Sequence, residues 1–132
     1  HKGFISYETE TVNLVAATTN YDLCNINIPT NSMGLRFSVE SYQTVQAVGH
    51  TGQFNEWVAY YNSGGATWTF TAVDSATTVA GFTFTPTSVD ANNFKIEVQR
   101  STGGATNSPF RALVTIRQAA YLMEGAEIVV TS

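Results

Sequence analysis

Between Gly65 and Val98 apolar and polar residues alternate almost without interruption. Ala66, Trp68, Phe70 and Ala72 are interleaved with Thr67, Thr69 and Thr71; Phe82 and Phe84 with Thr83 and Thr85; Phe94, Ile96 and Val98 with Lys95, Glu97 and Gln99. A period of two sends one set to a buried face and the other to solvent, the pattern of half-buried antiparallel strands. No segment holds a helical period over three turns; the best helical candidate, Gln118–Glu124, is short and follows a β-branched run.

Turn signals recur every ten to fourteen residues, at Thr18–Tyr21, Pro29–Ser32, Gly49–Gly52, Asn62–Gly65, Asp74–Thr77, Pro86–Ser88, Asp90–Asn93 and Ser101–Pro109. Gly supplies positive φ there, Asn and Asp bond their own backbone, and Pro fixes φ. Strands are expected near Phe4–Thr11, Val12–Ala17, Leu23–Ile28, Gly34–Val39, Thr44–Val48, Glu56–Tyr61, Ala66–Val73, Val79–Thr85, Phe94–Arg100, Phe110–Gln118 and Ala126–Thr131. About nine to eleven short strands with little or no helix imply an all-β antiparallel sandwich, immunoglobulin-like or jelly-roll-like. The 132 residues suit a single domain, 1–132, burying about two-thirds of its unfolded surface. The expected core is Ile26, Ile28, Leu35, Phe37, Val39, Trp68, Phe70, Phe82, Phe84, Phe94, Ile96, Val98, Ala112, Val114 and Ile116. Truncating Phe70 or Phe94 to Ala should then cost about 3–5 kcal/mol.

Charge restricts the partners. Charged residues make up 12% of the chain, against roughly 25% in an ordinary domain. Thr, Ser, Asn and Gln fill the polar positions instead, and such a surface packs against a neighbour with little desolvation of ions. The net charge is −4 and the basic residues are six: Lys2, Arg36, Lys95, Arg100, Arg111 and Arg117. That is no footprint for nucleic acid. No run approaches the roughly 18 apolar residues of a membrane helix, and no signal peptide is present, so membrane insertion is not expected. The chain starts at His1, where translation does not start, leaving a removed leader or a trimmed chain as alternatives.

Catalytic chemistry finds few reagents. The histidines are His1 and His50, the latter in an expected turn, Gly49-His50-Thr51-Gly52. Cys24 is the only cysteine and alternates with Ile26 and Ile28, which reads as a small buried hydrophobe rather than a nucleophile paired with His50. One Cys and two distant His do not make a zinc site, and Asp90-Ala91-Asn92-Asn93 reads as a turn rather than a calcium loop. Glu8 and Glu10 share a strand face about 7 Å apart, a spacing seen in glycoside hydrolysis but here in a Thr-rich solvated setting. No hydrolase elbow, phosphate loop or dinucleotide fingerprint occurs, and neither catalytic residues, metal nor cofactors are expected.

The aromatic residues are the better candidates. Phe54, Trp57, Tyr60 and Tyr61 crowd one stretch just before the Asn62–Gly65 turn and Trp68. Both faces of Glu56–Tyr61 carry aromatic bulk, so Trp57, Tyr60, Tyr61 and Trp68 either cap the core or offer platforms to a sugar or a protein partner. At the other extreme, Ile128-Val129-Val130 is an apolar run close to the C-terminus. Left bare it would invite aggregation, so Ile128, Val129 and Val130 should pair within their own sheet or with a neighbouring subunit.

The stretch Ala66-Thr67-Trp68-Thr69-Phe70, then Phe84-Thr85-Pro86, the strand from Asn93 to Val98 and the run from Arg111 to Ala119 resemble immunoglobulin-like modules of secreted bacterial proteins. The nearest likeness is to BACON domains of Bacteroidetes surface proteins, and it covers only Ala66–Ala120. It implies a β-sandwich at a cell surface, or on virions of phages infecting such bacteria, more than it implies an activity. Composition and resemblance converge on a non-enzymatic structural subunit of an extracellular or virion assembly, such as a fibre, pilus or capsid decoration. Its partners would be copies of itself or other structural subunits. The alternative is a carbohydrate-binding or adhesion module, with a glycan as partner.

Overall fold

A computed structural model describes residues 4–9, 12–13, 20–28, 34–45, 49–62, 64–77, 82–100, 109–118 and 128–131. The described chain forms ten strands: β1 (Phe4–Glu8), β2 (Val12–Asn13), β3 (Tyr21–Asn27), β4 (Gly34–Val45), β5 (Gly49–Asn62), β6 (Thr67–Thr77), β7 (Phe82–Asp90), β8 (Asn93–Arg100), β9 (Pro109–Gln118) and β10 (Val129–Thr131). Among the described residues there is no helix, and so none long and apolar enough to cross a membrane.

The strands make two antiparallel sheets. The larger has the order β1-β9-β4-β5-β6, with β2 also pairing β9 beyond the end of β1. The smaller has the order β10-β3-β8-β7. Their inner faces meet around Phe94 of β8, whose ring lies 5.2 Å from Phe37 of β4 and 5.4 and 5.1 Å from Trp68 and Phe70 of β6. These tilted and edge-on contacts suit the ring quadrupoles. The all-β sandwich follows directly from the alternation: Leu35, Phe37, Val39, Phe94, Ile96, Val98, Val114 and Ile116 all lie at 2% exposure or less. Every expected core residue is buried except Phe70, which is half-buried against the cluster. The core also takes in Leu23, Cys24, Trp57, Ala59 and Ile128.

Several expected turns are strand. Gly49–Gly52 is not a hairpin turn but the start of β5, paired without interruption from Val45↔Gly49 to Gly34↔Tyr60. Ser41 broke the apolar pattern at an inward position; it is fully buried, and its Oγ donates to the Gln53 carbonyl at 3.4 Å. Gly52 sits opposite Tyr42, and a Cβ there would lie 3.5 Å from the tyrosine ring, which covers the glycine. Asp74–Thr77 continues β6, and Pro86–Ser88 lies inside β7. β7 is an edge strand, where a proline's missing N–H is tolerated. Asn62–Gly65 is a turn as expected: Asn62 Oδ1 accepts from the Gly64 and Gly65 amides at 3.1 and 3.3 Å, and Ala66 completes it at φ 54°. Asp90–Asn93 is the β7–β8 turn. The helical candidate has Gln118 in β9, and its remainder lies outside the described residues, as does Ser101–Ser108.

Candidate functional site

The outward faces of the two sheets differ in kind. On the smaller sheet Asn25, Asn27, Asn93, Lys95 and Glu97 are half-buried and satisfied among themselves. Asn25 and Asn27 each donate to Asn93 Oδ1 at 3.1 Å, Thr87 donates to Glu97 at 2.8 Å, and Lys95 pairs with Asp22 at 3.2 Å. Asp90 Oδ1 accepts from the Asn92 amide and from Asn93 Nδ2, both at 2.9 Å. The Asn93 and Asn92 hydrogen bonds hold the Asp90 carboxyl below its ordinary range. Asp90 Oδ1 and Asn93 Oδ1 thus accept hydrogen bonds in and beside the β7–β8 turn.

On the larger sheet, register aligns three outward rows. One runs Arg117 (β9), Arg36 (β4), Val58 (β5), Thr71 (β6); the next toward the strand ends holds Gly34, Tyr60 and Thr69; the third holds Thr115, Ser38, Glu56 and Asp74. Arg36 and Arg117 are therefore directly opposite on neighbouring strands. Arg36 donates to Glu56 Oε1 at 2.5 Å, and this bond raises the guanidinium pKa further above its ordinary range. Glu56 is buried to 8% exposure beside a bulge: between Glu56 and Trp57 the β6 register shifts so that Val73 is extra. A bulge of this sort bends its strand and increases twist. A cleft of about 370 Å³ opens there, lined by Asn55, Glu56, Trp57, Ala72, Val73, Asp74 and Ser75. Farther along the face Arg111 pairs with Glu8 at 3.1 Å, and the Tyr42 hydroxyl donates to Glu40 at 3.2 Å.

The aromatic candidates separate. Trp57 (7% exposed) and Trp68 (4% exposed) belong to the core, where alternation already placed Trp68, and neither is an exposed platform. Trp57 stacks on its cross-strand neighbour Phe37 at 5.2 Å, and Trp68 packs between Tyr61 at 5.7 Å and Phe94. Tyr61 is half-buried on Trp68. Tyr60 points the other way and is 46% exposed. Of the four, only Tyr60 faces solvent on a sheet surface, because alternation along β5 sends Trp57 and Ala59 inward and Val58 and Tyr60 outward. The terminal run is spent inside the chain: Ile128 is 5% exposed, and Val129 and Val130 pair with Asn27 and Ile26 of β3. Val129 remains 44% exposed at this sheet edge.

The other chemical candidates do not assemble. Cys24 lies in the smaller sheet at 2% exposure, and burial pushes its thiol up to about 12. His50 lies in β5 of the other sheet, opposite Thr44. Glu8 is tied to Arg111, and Glu10 is outside the described residues. Among the described residues no three His, Cys, Asp or Glu side chains gather as metal ligands would. What sequence reasoning missed is the Arg36–Arg117 juxtaposition. Alternation places each on the polar face of its strand, but no local signal pairs β4 with β9.

No family model matches the chain, and no curated protein does. Similar solved structures include two phage tailspike proteins. The tailspike protein of Acinetobacter phage vB_ApiP_P1 superposes with a TM-score of 0.55 at 16% identity, covering 97% of this chain and 22% of that one. The tailspike protein of Acinetobacter baumannii phage AM24 gives 0.45 at 13%, covering 97% and 28%. The chain thus spans about a quarter or less of the first and slightly more of the second, and the first likeness establishes a shared β fold.

Proposed function

We propose that this chain is a non-enzymatic structural module of an extracellular or virion assembly, built as one β-sandwich and associating with copies of itself or with other structural subunits. The observation that carries the reading is the fold shared with a phage tailspike segment over 97% of the chain. The low charge and Thr- and Asn-rich surface support it, since such surfaces pack without burying ions. β6 supplies a place for a neighbour: it is an eleven-residue edge strand, exposed from Thr71 to Ala76 and carrying a single charge, Asp74. The strand order also supports the immunoglobulin-like part of the reading. β3-β8-β7 and β9-β4-β5-β6 follow the connectivity of strands B-E-D and F-C-C′-C″. The terminal strands take reversed places, the first beside β9 and the last beside β3. The test is the solution mass of the 14.3 kDa chain by light scattering after size exclusion, with electron microscopy of the same sample. Ordered oligomers or filaments are expected. A monomer at all concentrations overturns self-association.

A further inference from the structure

We propose that the outer face of the larger sheet, around Arg36, Arg117 and Tyr60, binds a saccharide carrying a carboxylate. This goes beyond the structural reading and stands or falls separately from it. It also moves a carbohydrate site away from Trp57 and Trp68, which the core has claimed.

The starting point is an electrostatic imbalance. Like charges directly opposite on neighbouring strands destabilise a sheet, yet Arg36 and Arg117 occupy such positions. Arg36 is matched by Glu56, and Asp74, opposite Glu56 on β6, adds a second negative charge that acts on it. Arg117 is exposed, and among the described residues no carboxylate pairs with it. An anion seated on Arg117 supplies the countercharge that guanidinium lacks, and a carboxylate fits its fork with two parallel hydrogen bonds.

The surroundings specify what carries the anion. Tyr60 is the residue diagonal to Arg36 across the β4–β5 ladder, a step of about 7–8 Å. It is 46% exposed, and its direct partner on β4, Gly34, carries no side chain to lie beside the ring. A Cβ at Gly34 would lie 3.8 Å from Tyr60 Cβ. Thr69 and Thr71 continue the same two rows with hydroxyls. An unpaired guanidinium, an aromatic ring on the same face and short hydroxyls match a sugar ring with one carboxylate: the C–H face meets tyrosine and the ring hydroxyls meet threonine. An acidic peptide would draw on main-chain partners along a strand edge. The face lies in the interior of the sheet, between β9 and β6, where the backbone is already paired. The smaller sheet has no such set, since its outward polar groups bond one another.

The test is calorimetric titration at low salt with a trigalacturonate, a neutral maltotriose and a triglutamate peptide, with amide shifts mapping the contact. The expected result is binding of trigalacturonate alone, weakened by salt, with shifts in β4, β5 and β9. Arg117→Ala and Tyr60→Ala should each weaken it about ten-fold or more, the effect of losing a hydrogen bond to a charged group or an aromatic contact. Both should keep the wild-type melting temperature, and Arg117→Lys should fall between. Absence of trigalacturonate binding, equal binding of maltotriose, or indifference to Arg117→Ala overturns the proposal. Equal binding of triglutamate at the same residues overturns the saccharide and assigns the face to an acidic peptide.

Discussion

Phe94 and Phe70 look alike in the sequence, each an aromatic residue at an inward position of an alternating run. Phe94 is fully buried and touches Phe37, Trp68 and Phe70, whereas Phe70 is half-buried. Phe94→Ala should cost about 3–5 kcal/mol in chemical denaturation, and Phe70→Ala distinctly less. Ala66 is held at φ 54°, where a Cβ crowds the following carbonyl at a cost of about 1 kcal/mol or more. Ala66→Gly should therefore stabilise the fold, by up to about 1 kcal/mol in the same assay. Two titrations follow from burial and bonding. Cys24 has its pKa raised from 9.0 to about 12 by burial, so its contribution to stability is complete below pH 9 and lost as pH rises toward 12. The native thiol should resist a disulfide reagent at pH 8 and react only on unfolding. Asp90 is depressed below 3.8, so its contribution is present above that value and lost as pH falls through the folded pKa. Asp90→Ala should lower the melting temperature at pH 7, and the gap to wild type should close in stronger acid.

At the scale of the element, strands were legible wherever inward positions were apolar and obscured wherever they were not. Phe94–Arg100 and Phe110–Gln118 match β8 and β9 within a residue, because Phe94, Ile96, Val98, Ala112, Val114 and Ile116 mark every second position. The long β4–β5 hairpin was hidden by Ser41 facing inward and by Gly52, which reads as a turn residue until Tyr42 is seen lying over it. The β6 bulge was equally invisible, since Val73 is an ordinary β-former whose extra place depends on pairing with β5. Asp74 is the sole charge on this open edge, and edge charges hinder strand addition. Asp74→Thr should raise concentration-dependent association in light scattering without unfolding the domain. If association is unchanged, β6 is not the edge through which copies meet.

For the whole molecule, the decisive contacts are distant in sequence. Phe4 pairs with Arg117, and β9 sits between β1 and β4, so the larger sheet is complete only when the first strand meets the ninth. The stretch 66–120, which resembles BACON modules, contains β6 to β9 but none of β1, β2 and β4, which pair with β9, and not β3, one of the two partners of β8. That fragment alone should show no cooperative thermal transition by circular dichroism, and the full chain should. With pairings this non-local, refolding is expected on the millisecond-to-second scale. The sequence by itself determined the period of two, and with it the all-β class, the inward residues and the scarcity of reagents for catalysis. These depend on side-chain alternation and composition, which are local. Tertiary structure alone decided that Trp57 is core, that Val129 and Val130 pair within the chain's own sheet, and that Arg36 faces Arg117. Each depends on which strands become neighbours, and a strand's own pattern says which face is buried but not what lies beside it.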